Sequence, residues 1–177
     1  NEDLENIFKK DIILGNPIKS MLGVRASTVS DALKTTGDEI LIDYKYDGLR
    51  AQLHNDKGKV SIFSRNLDDI TGQFPEVVEF IKRNFSDLQF VIDSECVGYD
   101  YESKKFLPFQ MLSKRILTKD INEVKHINVS VKAFDILFLN GETLIEKPYL
   151  KRRELLDGLF LNRDLVQIMH FSEKSLS

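Results

Sequence analysis

Lys45-Tyr46-Asp47-Gly48-Leu49-Arg50 is the stretch on which the reading of this chain turns. Before it, Ile40, Ile42 and Tyr44 alternate with Leu41, Asp43 and Lys45, which predicts a strand over residues 39–45 with Asp43 and Lys45 on one side. Asp47-Gly48 is a tight-turn pair, and residues 49–54 predict a second strand. Asn55-Asp56-Lys57-Gly58 reads as a hairpin turn into a third strand, Lys59–Ser64, because Asn, Asp and Gly tolerate the backbone angles required. A lysine therefore stands at a strand end beside a glycine turn, with an arginine just beyond. A lysine amine has a reference pKa of about 10.4 and is a poor nucleophile while protonated. It attacks phosphorus only where its surroundings favour the neutral form. The turn lets a nucleotide phosphate approach, and Arg50 can hold it.

Outward from this core, residues 4–10 predict a short helix, and residues 27–34 a helix capped by Ser27 or Thr28. Pro75–Phe85 predicts a helix with proline in its first turn and Val77, Val78 and Ile81 as its apolar stripe. Residues 88–97 predict a strand with Val91, Asp93 and Glu95 on one side, Asp93 being read as a solvated position. Residues 105–115 predict a turn leading into a short helix. Residues 126–139 alternate Ile127, Val129, Val131, Ala133 and Asp135 against Asn128, Ser130, Lys132, Phe134 and Ile136, and Asn140-Gly141 closes the strand with a turn. Residues 148–160 predict a helix with Leu155, Leu156 and Leu159 inward, residues 165–171 a last strand, and Ser172-Glu173-Lys174 the start of another helix. The fold class is α+β, with mostly antiparallel sheets flanked by helices.

Composition agrees with one globular unit. The chain has 177 residues, 42% hydrophobic and 30% charged, enough for a real core and no membrane span. A net charge of −3 with mixed signs excludes a dedicated duplex-DNA-binding module, although basic clusters stand at Lys9-Lys10, Lys104-Lys105, Lys114-Arg115 and Lys151-Arg152-Arg153. The lone cysteine, Cys96, excludes an internal disulfide framework and reads as a small core residue in a reducing compartment. His54, His126 and His170 are scattered and read as structural or exposed, and no Cys/His metal spacing occurs.

The six residues from Lys45 resemble, residue for residue, the K-x-D-G-x-R nucleotidyl-lysine motif of ATP-dependent DNA ligases and of their relatives, the RNA ligases and mRNA-capping guanylyltransferases. Further segments resemble the ligase pattern in its order: Pro17-Ile18-Lys19-Ser20-Met21-Leu22, Phe63-Ser64-Arg65-Asn66, Ile92-Asp93-Ser94-Glu95 with Ser94 in place of glycine, Pro108-Phe109-Gln110, Ala133-Phe134-Asp135-Ile136-Leu137, and the basic helix around Arg152-Arg153. The chain is most similar to the archaeal and eukaryotic replicative type. The resemblance implies the nucleotidyltransferase fold of DNA ligases and capping enzymes (ATP-grasp-like) in incomplete form. Residues 1–16 would be the tail of a preceding domain or a linker, and residues 17–177 the N-terminal part of an adenylation domain.

It also implies roles. Lys45 would be the catalytic nucleophile toward the α-phosphorus of ATP, and Arg50 and Arg65 would grip phosphate and ribose oxygens. Glu95 would accept from a ribose hydroxyl or help to hold Mg2+, and Phe134 would stack on the purine. Asp43 and Tyr44 would border the base, with Asp43 where the family commonly has Glu, and Asp47 would tie the turn. ATP and Mg2+ are the implied cofactors. Nicked duplex DNA is the implied partner of the full-length protein, a sliding clamp is a further candidate, and the default is a monomer in the archaeal cytoplasm or the eukaryotic nucleus, serving DNA replication, repair and recombination. The family's later E-G-x-x-x-K block and lysine pair are not found, so this piece alone is expected to be weak or inactive. The alternatives are an RNA ligase, a GTP-dependent capping nucleotidyltransferase, or a non-catalytic binding fragment.

Overall fold

A computed structural model describes residues 11–36, 39–118, 121–123, 127–160, 166–168 and 171–175; the expected helix over residues 4–10, His126 and His170 lie outside the described residues. Along the chain run α1 (Val29–Thr36), β1 (Glu39–Asp43), β2 (Leu49–Asp56), β3 (Lys59–Ser64), α2 (Pro75–Phe85), β4 (Gln89–Asp100), β5 (Lys105–Phe106), α3 (Phe109–Leu117), β6 (Val129–Leu139), β7 (Glu142–Thr143), α4 (Tyr149–Phe160), β8 (Val166–Ile168) and β9 (Phe171–Ser175). Thr28 caps α1, its hydroxyl accepting from the Asp31 N–H at 3.1 Å.

The main sheet has the order β3-β2-β4-β6-β7, all antiparallel, with β5 added to β4 and β8 parallel to β6. The β2–β3 hairpin turns through Lys57 (φ 48°) and Gly58 (φ 89°), both left-handed, the turn whose twist matches that of paired strands. β1 stops at Asp43, two residues before the sequence suggests, and pairs with β9 in a separate two-stranded sheet. Lys45 therefore lies in the loop that carries the chain from one sheet to the other. The same pairing corrects the reading of Ser172-Glu173-Lys174, which is strand rather than helix, and divides the single strand expected over residues 165–171 into β8 and β9. A distant strand partner supplies backbone hydrogen bonds that no local pattern announces.

One face of the main sheet is apolar. Ala51 and Leu53 of β2, Phe90, Ile92 and Cys96 of β4, and Val131, Ala133 and Ile136 of β6 are sealed beneath Val77, Ile81 and Phe85 of α2, Leu112 of α3, and Leu156 and Phe160 of α4. Burial pushes the Cys96 thiol far up, as suits a core residue. In α4 the inward row is Arg153, Leu156 and Phe160; Leu155, expected inside, is 37% exposed, because the 3.6-residue period places it beside that row rather than in it.

The opposite face is polar. It carries Arg50, Gln52 and His54 from β2, Asp93 and Glu95 from β4, and Lys132 from β6, aligned by the pairs Arg50↔Glu95, Gln52↔Asp93 and Glu95↔Lys132. Residues 12–18 cross its far end. Ile12 packs with Val91 and Phe138, the Gly15 N–H donates to His54 Nδ1 at 3.1 Å, and Gln52 exchanges two hydrogen bonds with the Ile18 backbone.

The β4–β6 ladder slips between Asp93 and Ser94: Ser94 faces Ala133, but Asp93 faces Asp135, leaving Phe134 as the extra residue of a β-bulge. The simple alternation expected for residues 126–139 fails here. Asp135 joins Phe134 on the polar face, and Ile136 crosses to the core.

Candidate active site

Gly48 explains why the Lys45 loop lies where it does. A Cβ on Gly48 would collide with the Cys96 carbonyl and stand only 2.8 Å from Val97 Cγ1 and 2.9 Å from Glu95 Cγ. Only glycine lets the loop close onto β4. Strand β4 lies where a side chain at position 48 would stand. The Gly48 N–H also bonds the Glu95 carboxylate, and Asp47 Oδ2 accepts from the Phe109 N–H at 3.4 Å, tying the loop to the start of α3.

The loop's side chains divide clearly. Asp43, Tyr44, Lys45 and Asp47 are exposed, and Tyr46 is half-buried. The Tyr46 ring lies 6.1 Å from that of Tyr44 and 5.3 Å from that of Phe106, with the Lys132 ammonium 5.7 Å from its centroid and 5.2 Å from that of Phe106. Burial brings Lys132 down to about 8. Lys45 is exposed, yet among the charges acting on the half-buried Glu95 its own is the largest. Burial raises the Glu95 carboxyl, while Lys45 and Arg50 pull it back.

Arg50 is held from two sides. Its Nε lies 3.0 Å and 3.2 Å from the two Asp93 oxygens, its Nη2 lies 2.6 Å from Oδ2, and its Cζ stands 5.3 Å from the Phe134 ring centroid. Asp93 is thus a buried partner, not the solvated position that strand alternation suggested. Burial raises its carboxyl, against the pull of the guanidinium, and the hydrogen bond to Asp93 raises Arg50. Ser94, in the place of the family's glycine, points to the core and donates to the Ala51 carbonyl at 2.7 Å, so it leaves Glu95 undisturbed.

Lys45, Arg50, Glu95 and Phe134 therefore meet on one face. Asp43 borders them: its Oδ1 accepts from the Tyr44 N–H at 2.8 Å, and its charge acts on Tyr46 and Tyr149. Arg65 is exposed one residue past the end of β3 and makes no hydrogen bond or ion pair with the described residues, so the structure does not join it to the group. Sequence reasoning missed Lys132, whose one signal was a lysine between Val131 and Ala133 in an apolar strand. It also missed the Asp135–Arg152 pair, with Nε–Oδ1 at 2.7 Å and Nη2–Oδ2 at 2.9 Å.

The sequence as a whole matches a known family. A family model described as an ATP dependent DNA ligase domain matches residues 20–175. The chain belongs to that family. A DNA ligase of Nanoarchaeum equitans is 39% identical to it over 155 residues, covering 86% of this chain and 27% of the relative. One from Sulfolobus acidocaldarius is 41% identical over 156 residues, covering 88% and 26%. This ligase domain chain thus spans about a quarter of the length of the curated relatives it matches. Among solved structures, the ligase domain of M. tuberculosis LigD superposes with a TM-score of 0.61 at 26% identity, over 77% of this chain and 42% of that one. A mycobacterial DNA ligase D complexed with ATP gives 0.60 at 25%, with the same coverage. The antiparallel nucleotidyltransferase architecture is shared with both.

Proposed function

We propose that this chain carries the nucleotide-attack half of an ATP-dependent DNA ligase. In this reading Lys45 Nζ bonds to the α-phosphorus of ATP as the bond to the bridging oxygen of pyrophosphate breaks. Pyrophosphate leaves with that electron pair, and the amine gives up its proton, so AMP remains on Lys45 as a phosphoamide. The full-length protein then passes the AMP to the 5′-phosphate of nicked duplex DNA and seals the strand. The observation that carries the reading is the closure of the Gly48 turn onto β4, which brings the Lys45 charge to bear on Glu95 beside Arg50.

The residues divide the work by chemistry. Arg50 spends Nε and Nη2 on Asp93, which leaves the Nη1 edge of a fixed fork to meet phosphate oxygens. Phe134, half-buried with its ring on the polar face, offers a surface for a purine. Asp43 and Tyr44 border the base, and Arg65, exposed at the neighbouring strand end, reaches phosphate or ribose once nucleotide is present. No cluster of three acidic or histidine side chains among the described residues could cage a metal. A single half-buried carboxylate, Glu95, suits a magnesium ion that takes its other ligands from phosphates and water. Mg2+ bound there would offset the charge of the departing pyrophosphate. A cytoplasmic setting fits the archaeal relatives, and a sliding clamp and a monomeric state complete the proposal for the full-length protein.

Labelling with ATP radioactive at the α-phosphate tests this. The full-length protein should acquire an acid-labile label rapidly, this chain slowly, and Lys45→Arg should reduce labelling by at least about 1,000-fold, since a guanidinium stays protonated. Label from the γ-phosphate, or label retained in Lys45→Arg, would refute the proposal.

A further inference from the structure

The bulge in β6 is held from outside the sheet. The Phe134 carbonyl accepts from the Tyr149 hydroxyl at 2.8 Å and from Arg153 Nη1 at 3.3 Å. The next residue, Asp135, accepts from Nε and Nη2 of Arg152, and its Oδ1 also accepts from the Ile136 N–H at 2.9 Å. Arg152 Cζ packs 5.4 Å from the Tyr149 ring centroid, Arg152 Nη1 donates to the Lys147 carbonyl at 2.6 Å, and Arg153 bonds the Tyr149 hydroxyl, so the three side chains brace one another. All three stand in the first turns of α4. A β-bulge disrupts its ladder locally, and a backbone carbonyl there needs a partner from elsewhere. Here a helix supplies it.

We propose that Tyr149, Arg152 and Arg153 are positioning residues for Phe134: they fix the bulge in which Phe134 is the extra residue and so hold its ring beside Arg50, so that α4 shapes the base subsite without touching the base. Register makes the argument concrete. Without the slip at Asp93, Asp135 would point to the core and Ile136 to the polar face. The bracket holds the chain in the slipped register, with Phe134 beside Arg50 and Asp135 opposite Asp93. Tyr149 and Arg152 are both largely covered, so removing a donor leaves a backbone carbonyl or a carboxylate short of its partner. The inference rests on the reading that Phe134 stacks on the purine, and the test separates the two.

The whole chain is compared with Tyr149→Phe, which keeps the ring and removes only the hydroxyl, and with Arg152→Lys, which keeps the charge and removes the fork. Amide exchange is followed over residues 133–137, and affinities are measured calorimetrically for ATP and for inorganic tripolyphosphate. Exchange at residues 134–136 should rise about 5- to 10-fold in either variant, the scale of one lost hydrogen bond to a covered group. ATP affinity should fall by a similar factor while tripolyphosphate affinity stays within about twofold, because the base and not the phosphates loses its support. The double variant should lose less than the product of the single effects, since the two side chains brace each other. Wild-type exchange rates in both variants would overturn the bracket. Faster exchange with an unchanged ratio of ATP to tripolyphosphate affinity would keep the bracket and refute the purine subsite at Phe134.

Discussion

The two faces of the β2–β4–β6 sheet are both largely closed to water, but by different means. On the helix side, closure is apolar and indifferent to partner: Leu53, Ile92 and Ile136 need only volume around them. On the other side, closure is specific: His54 needs Gly15 and Gln52, Asp93 needs Arg50, and Asp135 needs Arg152. The first face stabilises the fold. The second costs stability in places and fixes charged groups in directions useful for chemistry.

Neighbours on β4 break the comparison open, because Ile92 and Asp93 point to opposite faces. Ile92→Ala should cost about 4 kcal/mol, read as a lower urea midpoint, through the cavity it leaves in the core. The next effect belongs to pH. Burial lowers His54 from 6.5 to about 4, so the unfolded chain binds the proton more readily. Its contribution is fully present above pH 6.5 and is lost as pH falls toward 4, about 3 kcal/mol in all. His54→Gln should flatten that acid limb of the urea midpoint. Asp93→Ala should cost about 2 kcal/mol, less than Ile92→Ala because Arg50 keeps some access to water, while ATP binding falls out of proportion to the stability loss. Smallest, and opposite in sign, Lys132→Met should stabilise the fold at pH 7 by about 1 kcal/mol, read as a higher urea midpoint, because removing a desolvated ammonium outweighs the loss of its contacts, those with Tyr46 and Phe106 among them. A lower midpoint for Lys132→Met would show that the cation holds that face together instead of straining it.

What the sequence shows well is local. The hairpin of β2 and β3 was legible because Asn55, Asp56 and Gly58 announce the turn and the strands alternate on both sides. Pro75 marked the start of α2, and the Lys45-to-Arg50 motif, with Glu95 and Phe134 in order behind it, gave the family and most of the polar face. What stayed hidden depends on partners far along the chain. Asp93 looks like any solvated strand acid until Arg50 is set two residues along a paired strand. The slip at Phe134 leaves no local mark, because its cause is a set of side chains on α4. β9 looks like a helix start until β1 is placed beside it, and Gly48 looks like a turn glycine until the Cys96 carbonyl fills the space above it.

The pairing of Glu39–Asp43 with Phe171–Ser175 reaches beyond geometry into the order of events during synthesis. Closing so long a segment of chain has a large entropic cost, so this small sheet forms after the local hairpins. The strand that leads directly into Lys45 has no described partner until residue 175 has left the ribosome. An emerging chain would thus hold the Lys45 loop from one side only, through Gly48 on β4 and Asp47 at the start of α3, and the strand before it is fixed when the later strand arrives.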